Sequence, residues 1–414
     1  MTWTNCETRP IQLALLVTFL TALVSKNVVA SNWHCPGCVP TASETRAETV
    51  ARSDVILLVQ WVSSTARDGE NAAKTVYEVT LVGKDDTKLY QPKQRIALDN
   101  YREAEPGDLF FLNGLKNSEE TIDWEAPAEI SETGYHYVMQ APSPELPRHK
   151  RLPYFVKFLE FPDTLIADDA YNEFAFAPFE DVVTLSDSLP REKLRKWLNS
   201  KETPQSRVGL YGILLGLCGE KTDADLLGEK FFEKADEYVF GMEGIVTGYL
   251  FLTRDQGLLK IQDKILATQE KSVDFLYPLM RAFRIVWTYG GDRVPKPALI
   301  SAMRTFLQHD RLDELVIPDL ARWKDWQPID LLIDKYEAHP EKKHESLKRA
   351  IIIYMMECAN QETDENGSPS PTADKAQAFL DKVEQEDPIL MKKVRRIYRV
   401  EPRKTPESEE SPAE

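Results

Sequence analysis

Residues 142–159 read Pro142-Ser143-Pro144-Glu145-Leu146-Pro147-Arg148-His149-Lys150-Arg151-Leu152-Pro153-Tyr154-Phe155-Val156-Lys157-Phe158-Leu159, and the hydrophobic period changes within them. The three prolines 142, 144 and 147 read as a linker. After them Leu152, Phe155, Val156 and Leu159 recur at i, i+3, i+4 and i+7, the stripe of an amphipathic helix. Before them the pattern belongs to strands. Val55 to Val59 is a continuous apolar run rich in β-branched residues and reads as a buried strand. Thr75 to Val82 alternates, with Tyr77, Val79 and Leu81 on one face. Gln94 to Leu98, Asp108 to Leu112 after the Pro106-Gly107 turn, and Thr121 to Trp124 are three further candidate strands. Short strands at this spacing predict a small, twisted sheet or a partly open barrel.

Beyond the linker the helical rule continues. Leu276, Leu279, Met280, Phe283 and Trp287 obey it, as do Leu347, Ala350, Ile351, Tyr354, Met355 and Cys358. Breakers at Pro162, Pro178, Pro190, Pro204, Gly290-Gly291 and Pro328 divide the region into short helices. Thr203 before Pro204, and Thr222 with Asp225, read as helix starts. Arg207 to Phe231, Leu315 to Tyr336 and Arg349 to Leu380 each read as helix, polar turn, helix. Paired short helices without strands predict an α-solenoid or irregular superhelical bundle. Leu315 to Leu320 followed by a helix from Ile329 is similar to a HEAT-type repeat, although the period is irregular. The fold class expected is therefore α+β and multidomain. Its parts are a CxxC segment at 31–50, a small β-barrel-like domain at 51–141 and a HEAT-like helical domain at 148–399.

Charge and cysteine usage set the context. The 414 residues carry 51 Lys and Arg against 67 Asp and Glu, a formal charge of -16. No basic run stands out, which argues against nucleic acid as a partner. Residues 11–24 form an apolar stretch too short to span a bilayer, and Val28-Val29-Ala30 follows it. Residues 1–30 are read as a signal peptide, with a retained anchor as the alternative. No later segment is apolar and long enough to be a transmembrane helix. The mature chain is expected to be exported, to the periplasm or beyond. The tail at 400–414, rich in Glu and Pro, is expected to be disordered. Four cysteines beyond the leader are too few for a disulfide scaffold.

Cys35-Pro36-Gly37-Cys38 is the sharpest motif. Pro then Gly at its centre is the sequence of a type II turn, which brings the flanking Cα atoms to the reach of a disulfide. Three readings stay open: a structural disulfide, a redox pair, and a metal site of His34, Cys35 and Cys38. Zinc in a structural site wants four ligands, and no fourth is evident nearby. No cofactor is otherwise expected. Cys218 and Cys358 lie on apolar helical faces and read as buried thiols, or as a pair bridged to each other. Asp169 and Glu173 share a helix face at i and i+4. Such carboxylates serve acid–base or metal chemistry, or form a solvated face available to a partner. Trp323-Lys324-Asp325-Trp326 sits at a helix junction, where aromatics pack or anchor a partner.

In these features the chain resembles a group of uncharacterised exported bacterial proteins of planctomycete type. The matching residues are the Cys-x-x-Cys after the leader, Pro106 to Phe110, Asp169 to Ala175 and Ile317 to Trp323. The resemblance implies a small β domain and HEAT-like helices; the group carries no established activity. The β domain also looks like netrin or metalloprotease-inhibitor modules of OB type, which place a cysteine at the mature N-terminus; here Cys35 would be fifth. The expectation is an exported, non-enzymatic interaction or scaffold protein with an unidentified protein partner. A thiol–disulfide or metal-binding protein built on Cys35 and Cys38 is the alternative.

Overall fold

The computed structural model describes residues 35–69, 71–233, 240–263, 272–309, 311–338, 344–361 and 370–398. The expected leader, His34 and the acidic tail lie outside the described residues. The stretch expected to be only polar before the sheet ends in a helix, α1 (Arg46–Arg52). Its start is a capping box: the Thr45 hydroxyl accepts from the Glu48 amide, and the Glu48 carboxylate accepts from the Thr45 amide.

The sheet follows, with β1 (Val55–Thr65), β2 (Lys74–Asp85), β3 (Arg95–Leu98), β4 (Leu109–Lys116), β5 (Ile122–Trp124) and β6 (Ala128–Glu129). The strands run in the order β3-β2-β1-β4-β5, with β6 also on β4, and every pairing is antiparallel. Central β1 explains its own sequence. Val55, Leu57 and Val59 point into a cluster with Tyr77, Val79 and Phe110, whereas Ile56 and Leu58 enter the core formed with the helices. A strand buried on both faces has no solvent side on which to place polar residues. Leu112 and Phe111 on β4 divide between the same two clusters.

A second helix, α2 (Glu132–Gln140), falls in the stretch expected to be all β. Its Ser131 cap accepts from the Gly134 amide. Tyr135, Tyr137 and Val138 are buried and His136 is exposed. The helical body comprises α3 (Arg148–Phe155), α4 (Thr164–Ala175), α5 (Phe179–Val183), α6 (Arg191–Asn199), α7 (Gln205–Cys218), α8 (Lys221–Phe232) and α9 (Met242–Ile261). It continues with α10 (Val273–Tyr289), α11 (Lys296–Arg304), α12 (Asp313–Arg322), α13 (Ile329–Ala338), α14 (Glu345–Gln361), α15 (Pro371–Glu386) and α16 (Pro388–Ile397). The three expected helix–turn–helix segments are α7–α8, α12–α13 and α14–α15. No described helix is long and apolar enough to cross a membrane.

Two expected helix starts differ from the sequence reading. The Thr203 hydroxyl donates to the Trp197 carbonyl, closing the turn after α6 rather than capping α7. The box at α8 is Glu220 with Asp223, two residues before the expected Thr222 and Asp225. Asp223 is the better box partner because it is fully buried and also holds Arg191 at 2.7 Å.

One helix pair is packed on bare backbone. Gly209-x-x-Gly212-x-x-x-Gly216 on α7 meets Gly241-x-x-Gly244-x-x-x-Gly248 on α9. A Cβ on Gly244 would run into the Gly209 carbonyl oxygen, and one on Gly248 into that of Gly212. The contacts ascend together along both helices, so α7 and α9 run parallel, with α8 returning the chain between them. Gly241 starts α9 in the left-handed region (φ 80°), a second reason for glycine there.

Candidate functional site: the seat of the cysteine turn

Cys35 and Cys38 are joined as a disulfide, with their Cα atoms 5.3 Å apart. The Cys38 amide donates to the Cys35 carbonyl at 3.0 Å, closing the turn. The turn is not of type II: Gly37 is not among the glycines with positive φ. Its glycine has a different cause. A Cβ on Gly37 would lie 2.5 Å from Ile213 Cδ1, and one on Gly209 would lie 2.6 Å from the Gly37 carbonyl oxygen. The cysteine turn is thus seated on Gly209, one of the glycines that let α7 and α9 approach, and on Ile213.

From there the chain runs along α4, which holds it by main-chain amides. The Cys35 amide donates to the Ala175 carbonyl at 3.1 Å, and the Val39 amide to the Tyr171 hydroxyl at 3.0 Å. The Thr41 amide donates to Asn172 Oδ1 at 2.8 Å, and the Arg46 amide to Asp169 Oδ1 at 2.7 Å. The other Asp169 oxygen accepts from the Tyr137 hydroxyl of α2 at 2.9 Å. Asp169, Asn172 and Glu173 stand at i, i+3 and i+4, so one helix face carries the whole set.

Glu173 lies at the bottom of this face. It accepts from Arg151 Nη2 at 2.5 Å and Arg148 Nη1 at 3.2 Å, and Arg148 also bonds Glu48 of α1 at 3.0 Å. The Thr45 hydroxyl reaches it as well. Burial pushes its carboxyl up to about 7, against the pull of the two guanidiniums. Burial likewise raises Asp169, opposed by the Arg46 amide and the Tyr137 hydroxyl. It lowers the Arg151 guanidinium, opposed by Glu173.

The expectation of a solvated, partner-facing surface at Asp169 and Glu173 is therefore corrected. They are 6% and 0% exposed, because residues 39–46 cover this face of α4. A groove of about 450 Å³ is left between the loop at Thr41–Glu44 and α4. Asp168 stands at its rim, paired with Arg207 at 2.5 Å.

At Trp323 and Trp326 the packing reading holds and the partner-anchoring one is corrected: the side chains are 6% and 7% exposed. Trp323 stacks on Trp287 of α10 with centroids 4.2 Å apart, and Trp326 meets the Tyr354 ring edge-on. Asp325 between them takes Arg304 through both oxygens, at 2.5 and 2.6 Å. Six residues earlier Asp319 holds Arg284 at 2.6 Å. The aromatic pair marks a packed corner between α12 and α13, with Lys324 in the left-handed region (φ 57°) making the bend.

Cys218 and Cys358 are not bridged to each other. Burial raises the Cys218 thiol to about 11, away from nucleophilic use. Among the described residues no group of three or more His, Cys, Asp or Glu side chains gathers as a metal site.

Sequence reasoning missed Tyr137, Arg148 and Arg151, the partners that make the α4 face internal. The sequence carried no sign of it: Asp168, Asp169, Asn172 and Glu173 form one polar stripe opposite Ile166, Ala170 and Phe174, the pattern of an ordinary amphipathic helix with a solvated face. No family model matches the chain, and neither a curated protein nor a solved structure is significantly similar to it.

Proposed function

We propose that the chain is an exported, non-enzymatic scaffold: a small OB-like β module fixed to a HEAT-like helical array whose outer surface binds a partner protein. The observation that carries this reading is the use made of the chemically capable side chains. Asp169, Glu173, Asp319 and Asp325 each tie two chain segments together inside the fold, so they act as joints. The strand order supports the OB-like part, since β3-β2-β1-β4-β5 is the order of a five-stranded Greek-key barrel unrolled at its β3–β5 seam. The parallel α7 and α9, carrying the same glycine spacing, support a repeating array. Export rests on the leader-like residues 1–30, and on a disulfide in a chain otherwise poor in cysteine.

The alternative is a thiol–disulfide or zinc protein centred on Cys35 and Cys38, favoured by the closed disulfide at redox spacing. Zinc would require both sulfurs as thiolates, hence a reduced form. One experiment separates the two. A photocrosslinking residue is placed at exposed Leu331 or Tyr277 of the helical body in the exporting cell. The scaffold reading expects a discrete adduct that persists in the Cys35→Ser/Cys38→Ser variant. Loss of the adduct in that folded variant supports the thiol reading, and no discrete adduct from either position contradicts the scaffold.

A further inference from the structure

The last helix departs from the character of the chain. Within a protein of net charge -16, α16 carries Lys392, Lys393, Arg395 and Arg396 and no acid. Contrary to the expectation of no basic run, the chain holds one at Lys392-Lys393-Val394-Arg395-Arg396. Leu390, Met391 and Val394 turn inward and are buried. The opposite face is Ile389, Lys392, Lys393, Arg396 and Ile397, at i, i+3, i+4, i+7 and i+8. Ile389 and Ile397 are 71% and 67% exposed, more than any other large apolar side chain described. Arg395 is held by Glu384 at 2.7 Å, and Lys393 by Glu345 at 3.5 Å. Among the described residues Lys392 and Arg396 make no ion pair, so the centre of this face keeps its charge.

We propose that this face of α16 docks the chain peripherally on an anionic lipid bilayer. Cations at headgroup level flanked by aliphatic side chains that enter the acyl boundary are the two components of such binding. Charge complementarity selects an anionic surface. The two isoleucines select a bilayer over a purely ionic partner, because they too need cover. The chain's own acidic tail meets only half of that demand. Residues 401–414 hold five glutamates, but their apolar content is three prolines and one alanine, too little to cover both isoleucines. The helix lies on the membrane and does not span it, consistent with its length of 10 residues.

The test is co-sedimentation of the full chain with vesicles of phosphatidylcholine alone, or with a quarter phosphatidylglycerol, at low and high salt. Binding is expected only to the anionic vesicles and is expected to fall with salt. Lys392→Glu/Arg396→Glu should lower the partition coefficient by at least about 25-fold, each cation near the surface contributing roughly a factor of five. Ile389→Ser/Ile397→Ser should weaken it without changing its salt dependence. All four side chains face solvent, so the thermal midpoint should stay within about 2 °C, which separates lost docking from lost folding. Equal binding to both vesicle types, or none to either, overturns the proposal. So does a dimer in solution that the same substitutions dissociate, since the face would then be a contact between copies.

Discussion

Glu173 is where the local electrostatics make the sharpest statement. Its carboxyl, near pH 7 in the fold, sits above the ordinary glutamate value of 4.5. A carboxyl raised on folding stabilises the fold fully below the unfolded value. That contribution is lost as pH rises through the folded value. Between pH 4.5 and 7 the native state therefore loses stability from this group. Glu173→Gln keeps the neutral shape at every pH, so the penalty of the substitution should shrink as pH rises from 5 to 8. Urea denaturation of both proteins across that range measures it, and a penalty that grows with pH would contradict the assignment. Glu173→Leu is different in kind. It leaves Arg151, nearly fully buried, without its 2.5 Å partner and should cost about 3–5 kcal/mol.

The residue scale also shows why the acids of the Asp168–Ala175 stretch were visible in the sequence while their role was not. Their spacing on one helix face follows from counting. What covers that face is a segment over 120 positions earlier, held by amides of Val39, Thr41 and Arg46 that carry no side-chain signature. Long-range backbone pairing of this kind leaves no periodic trace.

Among the elements, the α7–α9 pair and the cysteine turn behave as one joint. Gly248→Ala gains helix propensity of about 1 kcal/mol in principle. The added methyl would meet the Gly212 carbonyl and force two backbones apart, so a net loss of roughly 2–3 kcal/mol is expected by chemical denaturation. Gly228→Ala meets side chains alone, the Tyr249 ring at 3.1 Å and the Phe232 ring at 3.8 Å, and should change stability far less. Removing the disulfide by Cys35→Ala/Cys38→Ala opens a very short loop, for which chain entropy predicts a cost of about 2 kcal/mol. Faster amide exchange is expected at Cys35, Val39, Thr41 and Arg46, whose amides α4 holds.

The strands themselves were legible, because alternation and β-branched runs have one reading. β1 and β4 extend beyond their apolar runs, into Ser63-Ser64-Thr65 and Leu115-Lys116, where ladder pairing continues with little burial. α2 was missed since its Tyr135-His136-Tyr137 centre has β-like composition; the Ser131 cap and the packing of Tyr137 against Tyr154 and Phe158 hold it as a helix. The turn at Pro36-Gly37 suggested left-handed glycine. The sequence holds no mark of the helix residues pressing on it.

Over the whole molecule, the linker prolines at 142–147 suggested two independent domains. The described core does not divide there. Ile56, Leu58 and Phe111 of the sheet belong to one hydrophobic cluster with Tyr137, Phe155 and the helices beyond. The N-terminal segment adds a second tie, running from Gly209 of α7 along α4 to α1 before β1 begins. Sheet and helices are thus expected to melt together. Calorimetry should show one transition with equal calorimetric and van't Hoff enthalpies. Such a single body suits a scaffold, because it presents its outer surface in fixed geometry.

Native-state hydrogen exchange under increasing denaturant, followed at Leu57 in β1 and Leu214 in α7, tests this unity most directly. Both amides are expected to merge into one opening isotherm with the free energy of global unfolding. Leu57 exchanging through its own opening, lower in free energy and shallower in denaturant dependence while Leu214 stays protected, would show the sheet to be a separate domain.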